Sequence, residues 1–202
     1  ESILEKSGLA KGREYEVQES FTNESGKRYQ PDVIVKLPDN KNIIVDSKVV
    51  LVAYERFVNE EDETEKATFL KMHIQSVRKH IKDLSDKNYQ HLYGVEGLDF
   101  VLMFIPIEPA FSLAVQHDAE LFSDAYDKNI VIVSPSTLIA TLRTISNIWK
   151  NEYQNRNALE IARQGGALYD KFAAFSEDLL KVGKSLNTTQ EAYKDAMNKL
   201  VD

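Results

Sequence analysis

The chain has 202 residues, 43% of them hydrophobic and 28% charged, with only 8 Gly and 5 Pro. That composition suits one helix-rich globular domain with room for a helical extension, and it excludes a disordered chain. With 0 Cys, disulfides, thiolate metal sites and cysteine nucleophiles are excluded; a formal net charge of −7 argues against an extended basic surface for nucleic acid, though not against a small basic groove.

The chain opens at Glu1 without a basic-then-apolar leader, so it is expected to be a fragment or processed piece. Leu4 lies in a short helical start, with Gly8 as its C-cap. Tyr15 to Phe21 alternates as a strand, and Thr22 to Gly26 reads as a turn. Val33 to Leu37 and Ile43 to Val49 are β-rich runs. Val52 to Leu84 is helical, interrupted by an acidic loop from Glu60 to Glu65, and Ser85 to Gly97 is a loop. Asp99 to Ile107 is a near-continuous apolar run, as expected of a strand buried on both faces. Its most apolar part, Phe100 to Ile107, is too short to cross a bilayer, and no membrane contact is expected of this chain. Pro109 to Tyr126 reads as one helix and Ile130 to Val133 as a short buried strand. Ser134 and Pro135 form an N-cap and N1 pair opening a helix to about Lys150. Beyond Gln154 the tail is helical. The Gly165-Gly166 pair is expected to break it before Leu168, Phe172, Phe175, Leu179, Val182 and Leu186, which recur at spacings of four and three. That seam fits either a helix packed on its own domain or a coiled-coil contact. The expected division is a core over 1–150 and a helical extension over 151–202.

Chemistry concentrates between Pro31 and Lys48. Two β runs flank Pro38-Asp39-Asn40, a three-residue hairpin loop in which Pro38 and Asp39 suit the centre of a type I turn and Asn40 the left-handed position after it. Leu37 then pairs with Lys41, and counting back sets Asp32 opposite Asp46. Val33, Val35, Leu37, Ile43, Val45 and Ser47 share the face assigned to the core. Asp32, Ile34, Ile44, Asp46 and Lys48 share the other. Two carboxylates roughly 5 Å apart across a hairpin repel. A divalent cation between them removes the conflict, and Mg2+ takes one or two protein carboxylates plus waters. Lys48, two residues past Asp46, can reach a phosphate oxygen or an attacking water. The short motif is unspecific, since Pro-Asp and Asp-x-Lys recur at Pro38-Asp39 and Asp39-Asn40-Lys41. A surface hairpin with scattered charges is the bland alternative.

Pro-Asp on one strand and Asp-x-Lys on the next resembles the PD-(D/E)xK nuclease signature. Longer segments resemble the RmuC family of bacterial DNA-recombination proteins. They include the run Pro31 to Asp39, Ile44 to Val49, Ala53 to Phe57, Leu98 to Phe111, Ile130 to Leu138, Ala140 to Ile145 and Gln154 to Ala158. The resemblance implies a restriction-endonuclease-like α/β fold, a mixed sheet flanked by helices with a long C-terminal helical extension. It implies a role in DNA recombination and a metal-dependent nuclease activity with Mg2+ or Mn2+. It also implies a cytoplasmic location and an N-terminal membrane-proximal or coiled-coil portion, which this chain does not include and through which the full-length protein would be tethered to the membrane.

Carried over by position, Asp32 and Asp46 are the metal carboxylates and Lys48 the catalytic lysine. The superfold often adds an acidic residue from its first helix, for which Glu5 is the first candidate and Glu1 the second. The helix after the lysine strand often faces the site, so Tyr54 and Arg56 are candidates for phosphate contact, against core and surface roles. Lys66, Lys71, Arg78, Lys79, Lys82 and Lys87 concentrate positive charge where DNA phosphates can be tracked, or simply form a solvated helix face. Arg143, Arg156 and Arg163 are weaker candidates of the same kind. Glu108 reads first as a cap for the helix that follows it, with a functional acid as the alternative, and His73 and His80 as surface or packing residues. The leading expectation is a metal-dependent deoxyribonuclease. Its rivals are a DNA-structure-binding or scaffold module of the same fold, and an oligomerisation domain that forms homo-oligomers through the C-terminal helices.

Overall fold

Short β-branched runs separated by turn residues assemble the centre of the domain. A computed structural model describes residues 2–18, 21–22, 28–29, 31–47, 51–87 and 98–201. In chain order the elements are α1 (Ser2–Ser7), β1 (Tyr15–Val17), β2 (Phe21–Thr22), β3 (Arg28–Tyr29), β4 (Val33–Lys36), β5 (Asn42–Asp46), α2 (Val52–Asn59), α3 (Glu63–Asp86), β6 (Leu98–Phe104), α4 (Glu108–His117), α5 (Leu121–Tyr126), β7 (Ile130–Val133) and α6 (Pro135–Val201). The expected turn from Thr22 to Gly26, and the loop beyond Lys87, fall largely outside the described residues.

The main sheet has five strands in the order β1-β4-β5-β6-β7. β1, β4 and β5 run antiparallel, while β5, β6 and β7 run parallel. β2 and β3 pair separately. The hairpin register agrees with the one counted from its turn: Val33 faces Val45, Ile34 faces Ile44, Val35 faces Ile43 and Lys36 faces Asn42. The turn itself differs. Asp39 as well as Asn40 is left-handed, with φ of 63° and 57°, a conformation their short polar side chains tolerate. The Leu37 N–H still closes the loop on the Lys41 carbonyl at 2.8 Å, so the register survives the different turn. Gly8 takes the expected C-cap role at φ 89°.

Both faces of the sheet are core, which corrects the one-sided burial expected of the hairpin. Val35, Ile43, Val45, Leu102 and Val133 pack under Leu4, Leu138, Leu142 and Ile145. Ile34, Ile44, Val101, Met103 and Ile132 pack under Val77, Ile81 and Leu84 of α3, with Ala110, Ala114, Leu121 and Ala125 beyond. The face expected to carry exposed charge is therefore roofed by α3.

Element ends also shift. The acidic loop shrinks to residues 60–62 because the Asp62 side chain caps α3, accepting from the Thr64 and Glu65 N–H groups at 2.9 Å. The single helix expected from Pro109 to Tyr126 is two, separated at residues 118–120. There Asp118 leaves helical geometry, its carboxylate held by Arg78.

The largest departure is α6, which runs 67 residues and passes through Gly165 and Gly166 without a break. Glycine costs about 1 kcal/mol in a helix interior but does not forbid it, and the flanking Ala, Leu, Arg and Gln are strong helix formers. A Cβ added at Gly166 would meet nothing within 4 Å. Gly166→Ala is therefore expected to stabilise this helix by about 0.5–1 kcal/mol, seen as a higher melting temperature of the helical circular-dichroism signal.

The chain divides into two units, Glu1–Asn151 and Glu152–Asp202. Within the first, Trp149 Nε1 donates to the Lys36 carbonyl at 2.8 Å and Ser146 Oγ to the Gly8 carbonyl at 3.2 Å. Those bonds fix the start of α6 against the hairpin and α1. In the second, the apolar residues of the heptad seam are exposed. Among the described residues no helix is long and apolar enough to cross a membrane.

Candidate functional site

Three parallel strands, β5, β6 and β7, end on the same edge of the sheet. Carboxyl ends of parallel strands are where open α/β sheets bind ligands. At this edge β5 delivers Asp46 and Ser47, the segment after β6 delivers Glu108, and the segment after β7 delivers Ser134.

Asp46 is the buried charge of the site, 1% exposed on the face roofed by α3. Lys87 Nζ donates to its Oδ2 at 2.9 Å, and His80 Nε2 meets its Oδ1 at 3.1 Å. Burial alone would raise its pKa. The hydrogen bonds from His80 and Lys87, and their charges, outweigh burial and hold the carboxyl well below the usual range. Asp46 is thus an anion whose neighbours are a lysine and a histidine.

Asp32, just ahead of β4, continues the hairpin register to the position opposite Asp46. Its side chain is half-buried, and its Oδ2 accepts from the Ser47 N–H at 2.8 Å and the Ser47 hydroxyl at 2.9 Å. A cavity of about 110 Å3 opens there, walled by Ile3, Leu4, Val33, Val45, Phe104 and Leu138 around Asp32 and Ser47. α1 therefore borders the Asp32 side of the site through Ile3 and Leu4, while Glu5 on the same helix is exposed. Glu1 and Lys48 lie outside the described residues. Among the described residues no three His, Asp or Glu side chains gather in a metal-holding cluster. The Asp32 carboxylate opens beside α1 on the Val33–Val45 face and the Asp46 carboxylate on the face roofed by α3, which corrects the shared face expected of them. Two carboxylates is a number that suits Mg2+, but to share one cation a side chain would have to turn. A cation there would have to take the Asp46 oxygen that Lys87 now holds.

The remaining candidates scatter. The Tyr54 ring packs on the α3 core, 5.7 Å from the His73 ring, and the Arg56 guanidinium lies 5.8 Å from the Phe69 ring centroid. Arg78, partly exposed, is clamped to the fold by two aspartates. Its Nη2 and Nε bind both oxygens of Asp118 at 2.7 and 2.5 Å, and its Nη1 binds Asp124 at 2.5 Å. Lys79 and Lys82 of α3, and Arg143 of α6, are exposed. Arg156 and Arg163 pair with Glu152 and Glu160 on their own helix. His73 is buried, with Nε2 on the Ala110 carbonyl at 2.9 Å. Glu108 does cap a helix, though not the one it opens. Its oxygens accept from Ser134 Oγ at 2.7 Å and the Ser136 N–H at 3.1 Å, at the start of α6.

His80 and Lys87 are the residues that sequence reading assigned elsewhere. His80 has neither a surface nor a simple packing role, and Lys87 is turned to Asp46 rather than to solvent. A signal was present. His73, Val77, His80, Leu84 and Lys87 follow the three-four spacing of one buried stripe. Polar residues on such a stripe need a buried partner.

The fold and its site define an α/β domain with a mixed sheet, a charged cluster at the carboxyl end of β5 and a long C-terminal helix. The RmuC family model matches residues 1–202, and the chain belongs to that family. It is 51% identical over 199 residues to a DNA recombination protein RmuC homolog of Vibrio cholerae, covering 98% of this chain and 39% of that protein. A homolog of the same name from Pseudomonas aeruginosa is 50% identical over 202 residues, 100% of this chain and 45% of that one. The DNA recombination protein RmuC of Escherichia coli is 50% identical over 198 residues, 98% of this chain and 42% of that one. The chain thus spans less than half the length of these relatives. No solved structure matches it.

Proposed function

We propose that this chain is the nuclease-type core of a DNA-recombination protein, built on a restriction-endonuclease-like fold and hydrolysing DNA phosphodiester bonds with Mg2+ or Mn2+. The observation that carries the proposal is the hairpin register. Continued one pair beyond Val33 and Val45, it sets Asp32 opposite Asp46 at the carboxyl end of β5, with Lys48 two residues further along the sequence. Asp32 and Asp46 would hold the cation, which when bound supplies Lewis acidity toward the phosphodiester. Ser47 fixes the Asp32 carboxylate, while His80 and Lys87 orient that of Asp46. The Lys48 ammonium positions the attacking water and offsets charge on the phosphoryl oxygens. Exposed Lys79 and Lys82, with Arg143, offer phosphate contacts. A DNA substrate places this domain on the cytoplasmic side.

A second reading, a DNA-structure-binding module that does not cleave, draws on the two Asp46 oxygens being held by His80 and Lys87 of the protein itself. The deciding experiment offers labelled single-stranded, double-stranded and branched DNA with Mg2+ or Mn2+ to the wild type and to Lys48→Ala. Cleavage that requires metal and disappears in the variant is the expected result. DNA binding without cleavage by the wild type on every substrate would favour the module.

A further inference from the structure

We infer that residues 161–186 of α6 form an antiparallel, two-fold symmetric coiled coil with a second copy of this chain. Seven apolar residues of the segment, Ile161, Leu168, Phe172, Phe175, Leu179, Val182 and Leu186, are 55–71% exposed. They follow alternating spacings of four and three, with Gly165 in the vacant seam position between Ile161 and Leu168. A contiguous apolar stripe of about 39 Å, at 1.5 Å per helical residue, is more than a monomer ordinarily leaves to water.

The stripe itself names its occupant. Read outward from the point between Ala173 and Ala174, it is matched on both sides: Phe172 with Phe175, Leu168 with Leu179, and Ile161 with Leu186. A surface with that property fits an inverted copy of itself, because in an isologous contact each residue meets its counterpart's counterpart. The one unequal layer sets Gly165 against Val182. Ala162 and Gly183 flank that layer, small residues that let two helices approach, and a Cβ at Gly165 or Gly183 would meet nothing within 4 Å.

Charge selects this alignment over its neighbours. Lys171 and Asp178 are the charged residues beside the Phe172–Phe175 centre of the seam. In the antiparallel alignment centred between Ala173 and Ala174, Lys171 of each copy faces Asp178 of the other, giving two opposite-charge pairs. Sliding by one heptad either way sets Lys171 against Lys171, or Asp178 against Asp178. A parallel pair sets Lys171 against Ser176 and Asp178 against Gly183, with no ion pair. Like charges at flanking positions are an established means of excluding wrong registers. Asp178 now binds Lys181 of its own helix at 2.9 Å, an exposed contact that is readily exchanged.

The test uses the whole 202-residue chain. Sedimentation or light scattering at tens of micromolar is expected to give a dimer, and Phe172→Asp combined with Phe175→Asp a folded monomer. Lys171→Asp is expected to weaken the dimer about tenfold, and adding Asp178→Lys to restore it. Because the chain has 0 Cys, orientation can be read by oxidation. A Leu168→Cys chain mixed with a Leu179→Cys chain is expected to cross-link between the two, and neither to cross-link with itself. A monomeric wild type, self-linking of Leu168→Cys, or a dimer indifferent to the Phe172 and Phe175 changes would overturn the inference.

Discussion

Asp46→Asn is expected to reduce metal-dependent DNA cleavage by at least about a hundredfold, because a residue that merely orients a metal ligand already contributes about 10–100-fold. The substitution keeps shape and removes charge. It takes an anionic oxygen from the proposed metal site and leaves Lys87 and His80 facing a neutral amide, where they now bind a carboxylate at 2.9 and 3.1 Å. Asp46 is buried but the Lys87 side chain is 32% exposed, so the lysine can turn to water. The stability cost is therefore about 2 kcal/mol, short of the larger penalty for stranding a buried charge. His80→Ala removes a positioning contact only, and should lower cleavage by about 10–100-fold while sparing DNA binding. Manganese binding followed by its electron paramagnetic resonance signal separates the cases without relying on turnover: the signal of bound ion should be lost in Asp46→Asn. Undiminished cleavage by Asp46→Asn would remove the hairpin from the chemistry altogether.

How far these features were legible from sequence depended on whether a local rule governed them. The hairpin register follows from loop length and pleat, and the count from Leu37 and Lys41 down to Val33 and Val45 agrees with the structure although the turn adopts different dihedrals. The caps at Gly8 and Ser134 are likewise local. The roof over the second face was not legible in this way. Ile34 and Ile44 looked like isolated apolar residues on a charged face, and only their juxtaposition with Val77, Ile81 and Leu84, far along the chain, makes them core. The surroundings of Asp46 follow from that same packing, since α3 brings His80 and Lys87 down on it. Gly165-Gly166 misled for a different reason. A propensity of about 1 kcal/mol per glycine is easily outweighed over a helix of 67 residues. Arg78 shows the limit of counting charge. In sequence it belongs to a basic cluster, whereas in the fold it is neutralised by two aspartates from residues 118 and 124.

That neutralisation yields the second large effect, one of stability. Arg78→Gln is expected to destabilise the folded domain at neutral pH by about 1–2 kcal/mol. Charge-assisted hydrogen bonds of this kind contribute about 1.5–3 kcal/mol when shielded, and the Arg78 side chain is 39% exposed, so solvent screening lowers the figure. The clamp ties α3 to Asp118, where the chain breaks between α4 and α5, and to Asp124 on α5. The effect depends on pH in a definite sense. The hydrogen bonds from Arg78 pull the Asp118 carboxyl below its ordinary value, partial burial opposes them, and the charge of Arg78 adds to the lowering. A carboxyl depressed in the folded state contributes stability above its unfolded pKa, about 3.9, and loses it as pH falls through the folded value. The wild type should therefore lose its advantage over Arg78→Gln progressively below about pH 4, while the gap between them stays constant above about pH 6. Urea titrations across that range measure it directly. Lys79→Ala and Lys82→Ala, on the exposed side of the same helix, should leave stability unchanged and weaken DNA binding with a shallower salt dependence. A gap between wild type and Arg78→Gln that persists unchanged at pH 2 would show that the guanidinium acts through packing rather than through its carboxylate partners.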